Sequence, residues 1–266
     1  MKTVAAHLGA AALFAAVILI GNPLAAAPCS EAGPQTPRDI TLRDGTNPRT
    51  FSLAPAATKM NLCDIHTHTN AEHKGPGYTV FAGSGTYGGY QCNESSSLTA
   101  AELAAPTGDT SSFAKVKPGD TIEVHWVHTT CDAVPAHGLG SCLPADCKNP
   151  QLRVEAQVFL VVNDPNALDF TSFDYHGKAV GGLHQAKAIP GDTGTPVVFR
   201  GSTTGPSYNQ ETCSPLEVTW SVRPNCAKVD INSIFRWAKN DKFFRETASH
   251  GVRQLVTKPE LLSKID

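Results

Sequence analysis

The segment Cys63–Gly75, CDIHTHTNAEHKG, places three histidines, two carboxylates and a cysteine within thirteen residues. Imidazole is the commonest protein ligand for zinc, so the cluster raises the question of a metal. His66 and His68 are two positions apart. On a strand, residues i and i+2 point to one face, and both rings can then converge on one ion. Two imidazoles do not complete a catalytic zinc site, which takes three protein ligands and keeps a fourth position open. The best source of the third is IEVHWVH, where Glu123 and His125 share one strand face while Val124 and Trp126 occupy the other. Glu123 can there accept a hydrogen bond from the second ring N–H of a ligand, which fixes the tautomer and raises ligand basicity. His128 falls on the face opposite His125 and is expected to be a buried, hydrogen-bonded structural residue.

Strands must hold these side chains. TIEVHWVHT (Thr121–Thr129) is rich in β-branched and aromatic residues and follows the turn KPGD. LRVEAQVFLVV (Leu152–Val162) begins in alternation and ends as a continuous apolar run, as expected of a strand whose second half is buried on both faces. PLEVTWSV (Pro215–Val222) alternates and stops before Pro224. A single helix is expected near the end of the chain, capped by Asn232 or Ser233, with Ile234, Trp237, Ala238 and Phe244 on its apolar side. The glycine-rich stretch AGSGTYGGY (Ala82–Tyr90) lacks the Lys-Ser/Thr ending of a phosphate loop and reads as a flexible connection. The expected fold is a single, mainly β domain around a twisted, largely antiparallel sheet with peripheral helices.

The N-terminus has the plan of a secretory signal peptide over residues 1–27: Lys2, an apolar run of thirteen from Leu8 to Ile20, then Ala25-Ala26-Ala27. The run is too short to span a bilayer, and Pro28 argues against a lipoprotein anchor at Cys29. Residues 28–266 then form the domain, periplasmic or secreted, with no membrane contact expected after cleavage. An even number of cysteines, eight, favours disulfides in an exported chain. Spacing fixes none of the pairs; closure of a small loop between Cys142 and Cys147 is one option. Lys and Arg number 22 against 24 Asp and Glu, and they are scattered, which argues against nucleic acid as a partner.

Taken together, four stretches resemble the carbonic anhydrases, most closely the delta class, whose motifs read like a rearranged alpha-class set. CSEAGPQTPRDI is similar to that family's Cys…Gln-Ser-Pro-Ile segment, DIHTHTNAEHKG to its His-x-His strand followed by a Glu-His pair, and EVHWVH to its Glu-x-His-x-Val-His strand. FRGSTTGPSYNQETCSPLEVTW is similar to its Gly-Ser-x-Thr-Thr-Pro loop leading to Val-Thr-Trp. The resemblance implies an alpha-carbonic-anhydrase-like fold. It implies zinc ligands at His66, His68 and His125, with Glu123 behind them, and cobalt or cadmium as the alternative metals. It makes Thr203 the hydroxyl that accepts from zinc-bound hydroxide and donates to a buried carboxylate, Glu72, with Thr204 its neighbour near the substrate. A hydroxyl has one proton, so one that donates to a carboxylate can only accept from the metal side. The resemblance further implies a Cys29–Cys213 disulfide and carbon dioxide and bicarbonate as substrate and product.

The chain departs from the alpha pattern in four places. The gap between His68 and Glu72 is shorter, and those before His125 and after Thr204 are longer. The threonine pair reads Thr-Thr-Gly, which leaves its register open by one residue. On Leu152–Val162 either the polar row Arg153, Glu155, Gln157 or the apolar row Val154, Ala156, Val158 faces the substrate pocket. No histidine lies between Pro28 and Cys63, where the alpha family carries its proton shuttle, leaving His73, His137, His176 and His184 as substitutes. The implied activity is zinc-dependent hydration of carbon dioxide. A non-catalytic zinc-binding module on the same scaffold, a zinc-dependent esterase and a histidine-bearing metal buffer are the alternatives.

Overall fold

A six-stranded mixed sheet carries the site. The computed structural model describes residues 27–266, apart from His176, Lys178, Pro206 and Gln254. The body of the expected signal peptide and one shuttle candidate, His176, therefore lie outside the described residues. The strands are β1 (Asn61–Thr69), β2 (Thr121–Thr129), β3 (Leu152–Val162), β4 (Val197–Ser202), β5 (Glu217–Val222) and β6 (Ala227–Asp230). Their order is β1-β2-β3-β5-β4, and β6 pairs with the second half of β3. β1/β2, β2/β3 and β4/β5 are antiparallel, whereas β5 and β6 both run parallel to β3. β3 is thus paired on both edges, and both faces of its second half are covered, Phe159 and Val161 by one apolar cluster and Val158, Leu160 and Val162 by another, which is why its sequence ends in an uninterrupted apolar run.

Register decides which side chains share a face. His66 lies opposite His125, His125 opposite Ala156, and Ala156 opposite Val222. Directly paired residues project to the same side, so one face presents Asp64, His66, His68, Glu123 and His125 above Val154, Ala156, Val158 and Trp220. Of the two rows of β3 it is the apolar one that faces the site. Arg153 and Glu155 pair with each other at 2.6 Å on the opposite face, beside His128. His128 is fully buried and its Nδ1 donates to the Trp126 carbonyl at 3.0 Å, the structural role its strand parity predicts.

The opposite face packs against α1 (Ile231–Asn240). Trp237 and Ile234 are buried against a cluster that includes Trp126 and Phe170, with the rings of Phe170 and Trp237 4.7 Å apart. The cap is Asp230 rather than Asn232 or Ser233: its carboxylate accepts from the Asn232 amide at 3.3 Å. β6 runs straight into the helix, so the last strand residue becomes the N-cap, and an aspartate there satisfies an otherwise unpaired amide. Phe244 joins the same core from beyond the helix end.

Four disulfides staple the loops: Cys29–Cys213, Cys63–Cys142, Cys92–Cys226 and Cys131–Cys147. The first is the pair that the family resemblance implied. Closure of a Cys142–Cys147 loop is not found. Cys63 sits at a β-bulge, since Leu62 pairs with His128 and Asp64 with Val127, and the extra residue is carried into the apolar cluster where Cys142 meets it. Loss of a native bridge of this kind costs about 2–5 kcal/mol. Among the described residues no helix is long and apolar enough to cross a membrane.

Candidate metal centre

Two adjacent antiparallel strands bring the three histidines together. The rings of His66, His68 and His125 lie 4.7–5.1 Å apart, centroid to centroid, and one ligand atom from each falls within 4.8 Å of the others. The orientation of His66 is settled by hydrogen bonding. His66 Nδ1 donates to Asp64 Oδ2 at 2.7 Å, which leaves Nε2 as a free acceptor. That Nε2 stands 3.3 Å from Nδ1 of His125. Two ligands at 2.0–2.1 Å from a tetrahedral ion would be about 3.3–3.4 Å apart, so this spacing would suit two ligands of one such ion. His125 and His68 are buried, and burial depresses both imidazoles, His125 to about 4 and His68 well below its usual range. Mutual repulsion within the cluster adds to the effect. Neutral rings are the metal-binding form. The residues present therefore fit a divalent cation.

Carboxylates stand behind the rings. Glu123 is fully buried, accepts from His73 Nδ1 at 2.7 Å and from the Glu72 amide at 2.7 Å, and lies 3.5 Å from His125 Nε2. Burial opposes its charge, but His73 and His125 hold it well below the carboxylate range. Glu72 places its oxygens 3.5 Å from His125 Nε2 and 3.7 Å from His68 Nδ1. Burial and then the Glu123 charge push Glu72 well above the usual range; Arg253 and the Thr204 hydroxyl oppose them. A cation held by the three histidines would act in the same sense as Arg253 and favour the carboxylate.

The threonines are placed one residue out of the expected register. Thr203 is buried and shares a 2.6 Å hydrogen bond with Ser214, not with Glu72. Thr204 is the one that faces Glu72, short of a hydrogen bond of ordinary geometry, and it lines the cavity beside His66 and His68. Gln35 organises this loop: its oxygen accepts from the Ser214 amide at 2.9 Å and from the Ser202 hydroxyl at 3.2 Å. A 260 Å³ cavity opens over the histidines, bounded by Leu139 and Gly138 on one side, Thr204 and Gly205 on another, and His137, Glu246 and His250 at the mouth.

Four participants escaped the sequence reading. Asp64 was detectable, because it sits two before His66 and strand parity puts it on the ligand face. Glu246, His250 and Arg253 come from an irregular C-terminal segment with no periodic signal. The shuttle candidates separate as well: His73 is wholly buried behind Glu123, His184 is bonded to Tyr175 at 2.6 Å, and His137 alone of the described ones lines the cavity. Asp64 leads to a prediction. Asp64→Ala is expected to weaken zinc binding by roughly 10–100-fold, the usual cost of losing an outer partner, while Asp64→Asn, which keeps an acceptor oxygen, loses less; chelator competition measures both.

The fold and the site together define a mainly β protein with three clustered histidines that could hold a metal ion, backed by buried carboxylates. Residues 57–233 match the family model for delta carbonic anhydrase, and the chain belongs to that family. A search of curated proteins finds no match to the chain.

Proposed function

We propose that the protein is an exported zinc carbonic anhydrase that converts carbon dioxide reversibly to bicarbonate, with His66, His68 and His125 as ligands. The observation that carries this reading is the convergence of three rings, with His68 and His125 held in the neutral form by burial and His66 and His125 at a spacing that would suit two ligands of one tetrahedral ion. Zinc among neutral imidazoles keeps its double charge and supplies a water-derived nucleophile near neutral pH, chemistry for which carbonic anhydrases are the reference case. Thr204 faces Glu72, and by giving its single proton there it would offer only lone pairs toward the metal side and orient the nucleophile. The polar row of β3 lies on the opposite face and Leu139 lines the cavity, which weakens the main reason for preferring a non-catalytic module. Four disulfides suit an oxidising compartment.

Protons must leave through the cavity mouth. The His250 ring lies 6.0 Å from that of His66, is about half exposed (49%), and its Nε2 is 3.3 Å from Glu246. The Glu246 contact raises its pKa, so it holds a proton to a higher pH than a free histidine. His250→Ala is expected to lower kcat roughly 100-fold in weak buffer, with recovery on adding imidazole, the lower end of the range for a positioned acid–base group. An unchanged kcat would exclude His250 from proton transfer.

Stopped-flow hydration by the purified protein, with metal analysis and aromatic sulfonamide inhibition, tests the whole reading. One zinc per chain, activity abolished by chelation and restored by zinc, is the expected result. Full zinc occupancy without hydration would leave a zinc-binding module.

A further inference from the structure

The chain leaves the end of β2 in a loop whose base is closed by the Cys131–Cys147 bridge. The middle of that loop, His137 to Leu139, forms one wall of the cavity over the histidines. A second bridge, Cys63–Cys142, ties its one-turn helix, Leu139–Cys142, to β1 beside the ligand positions. The β-bulge makes this contact possible, because it turns the consecutive residues Cys63 and Asp64 toward the same side of the sheet.

Hydrogen bonds tighten the same junction. The Cys63 carbonyl accepts from the Ser141 hydroxyl at 2.7 Å and from the Ala136 amide at 3.1 Å. Between these two donors Gly138 has φ 79° and ψ 164°, a backbone region open essentially to glycine alone. In that conformation its amide donates to Asp64 Oδ1 at 3.2 Å, while Asp64 Oδ2 accepts from His66 Nδ1. Asp64 is buried, and a buried carboxylate is stable only where hydrogen bonds replace its lost water. Among the described residues Gly138 is the donor on the oxygen that His66 leaves open.

We propose that Gly138, seated by the Cys63–Cys142 bridge, is a positioning residue for the metal. Its N–H fixes Asp64, and Asp64 fixes the ring of His66. The proposal rests on the reading of His66 as a ligand. Zinc affinity then depends on a disulfide that contributes no ligand atom.

Chelator competition with zinc on the full chain measures the effect. Gly138→Ala is the cleanest variant: a Cβ there meets nothing within 4 Å, so only the backbone conformation is disturbed and all four bridges stay. Gly138→Ala, and separately Cys63→Ser combined with Cys142→Ser, are each expected to weaken zinc binding roughly tenfold, the lower end for loss of an outer partner. Introduced into Asp64→Ala, the same changes should cost nothing further, because the group they act through is already gone. Circular dichroism on each preparation checks folding. Should the cysteine variant fail to fold, the Gly138→Ala cycle decides alone. Unchanged zinc affinity in folded Gly138→Ala overturns the proposal. So does a loss that adds in full to that of Asp64→Ala, which would make the loop a structural support only. Zinc affinity unchanged in His66→Ala would instead remove the ligand reading, and the proposal with it.

Discussion

Alanine in place of His125 is expected to strip the protein of zinc and reduce carbon dioxide hydration to the uncatalysed rate. β1 can offer only His66 and His68, and His125 is the sole ring that β2 adds to the cradle. Two neutral imidazoles without a third ligand leave the ion with too few protein donors for a catalytic site. Loss of an outer partner already costs about 10–100-fold in affinity, so loss of a ligand should cost roughly 100-fold or more. The variant should still fold, since Glu123 keeps its bonds from His73 and the Glu72 amide. Metal analysis after dialysis, circular dichroism and stopped-flow hydration on one preparation check each part. Full zinc content with normal hydration would remove His125 from the site and the proposed enzyme with it.

The second large effect separates two neighbouring threonines. Thr204→Ala is expected to lower kcat by roughly 10²–10³, the usual cost of removing one preorganised hydrogen-bonding group from a reacting centre. Thr203→Ala should leave kcat within a few-fold. Its hydroxyl bonds to Ser214, so its loss should appear as about 1–2 kcal/mol of stability in a denaturant titration. Comparing kcat with unfolding midpoints in both variants gives opposite patterns for the two positions. The reverse pattern would restore Thr203, the assignment that the family resemblance implied.

The sequence by itself determined the parts of this protein that depend on local spacing. Strand periodicity of two put His66 with His68 and Glu123 with His125, and the β2 and β3 boundaries follow from runs of β-branched residues bounded by turns. The order of motifs pointed to the family. What only the tertiary structure decided are relations between segments far apart in the chain. Inter-strand register set His66 opposite His125 and turned the Val154 row, not the Arg153 row, toward the site. A loop held by Gln35 and the Cys29–Cys213 bridge chose Thr204 over Thr203 for Glu72. The same holds for Cys142, whose partner is Cys63 across 79 residues rather than Cys147 nearby. Periodicity reports which way a side chain points within its own element, but the meeting of two elements depends on bulges, loop paths and packing that no short window of residues encodes.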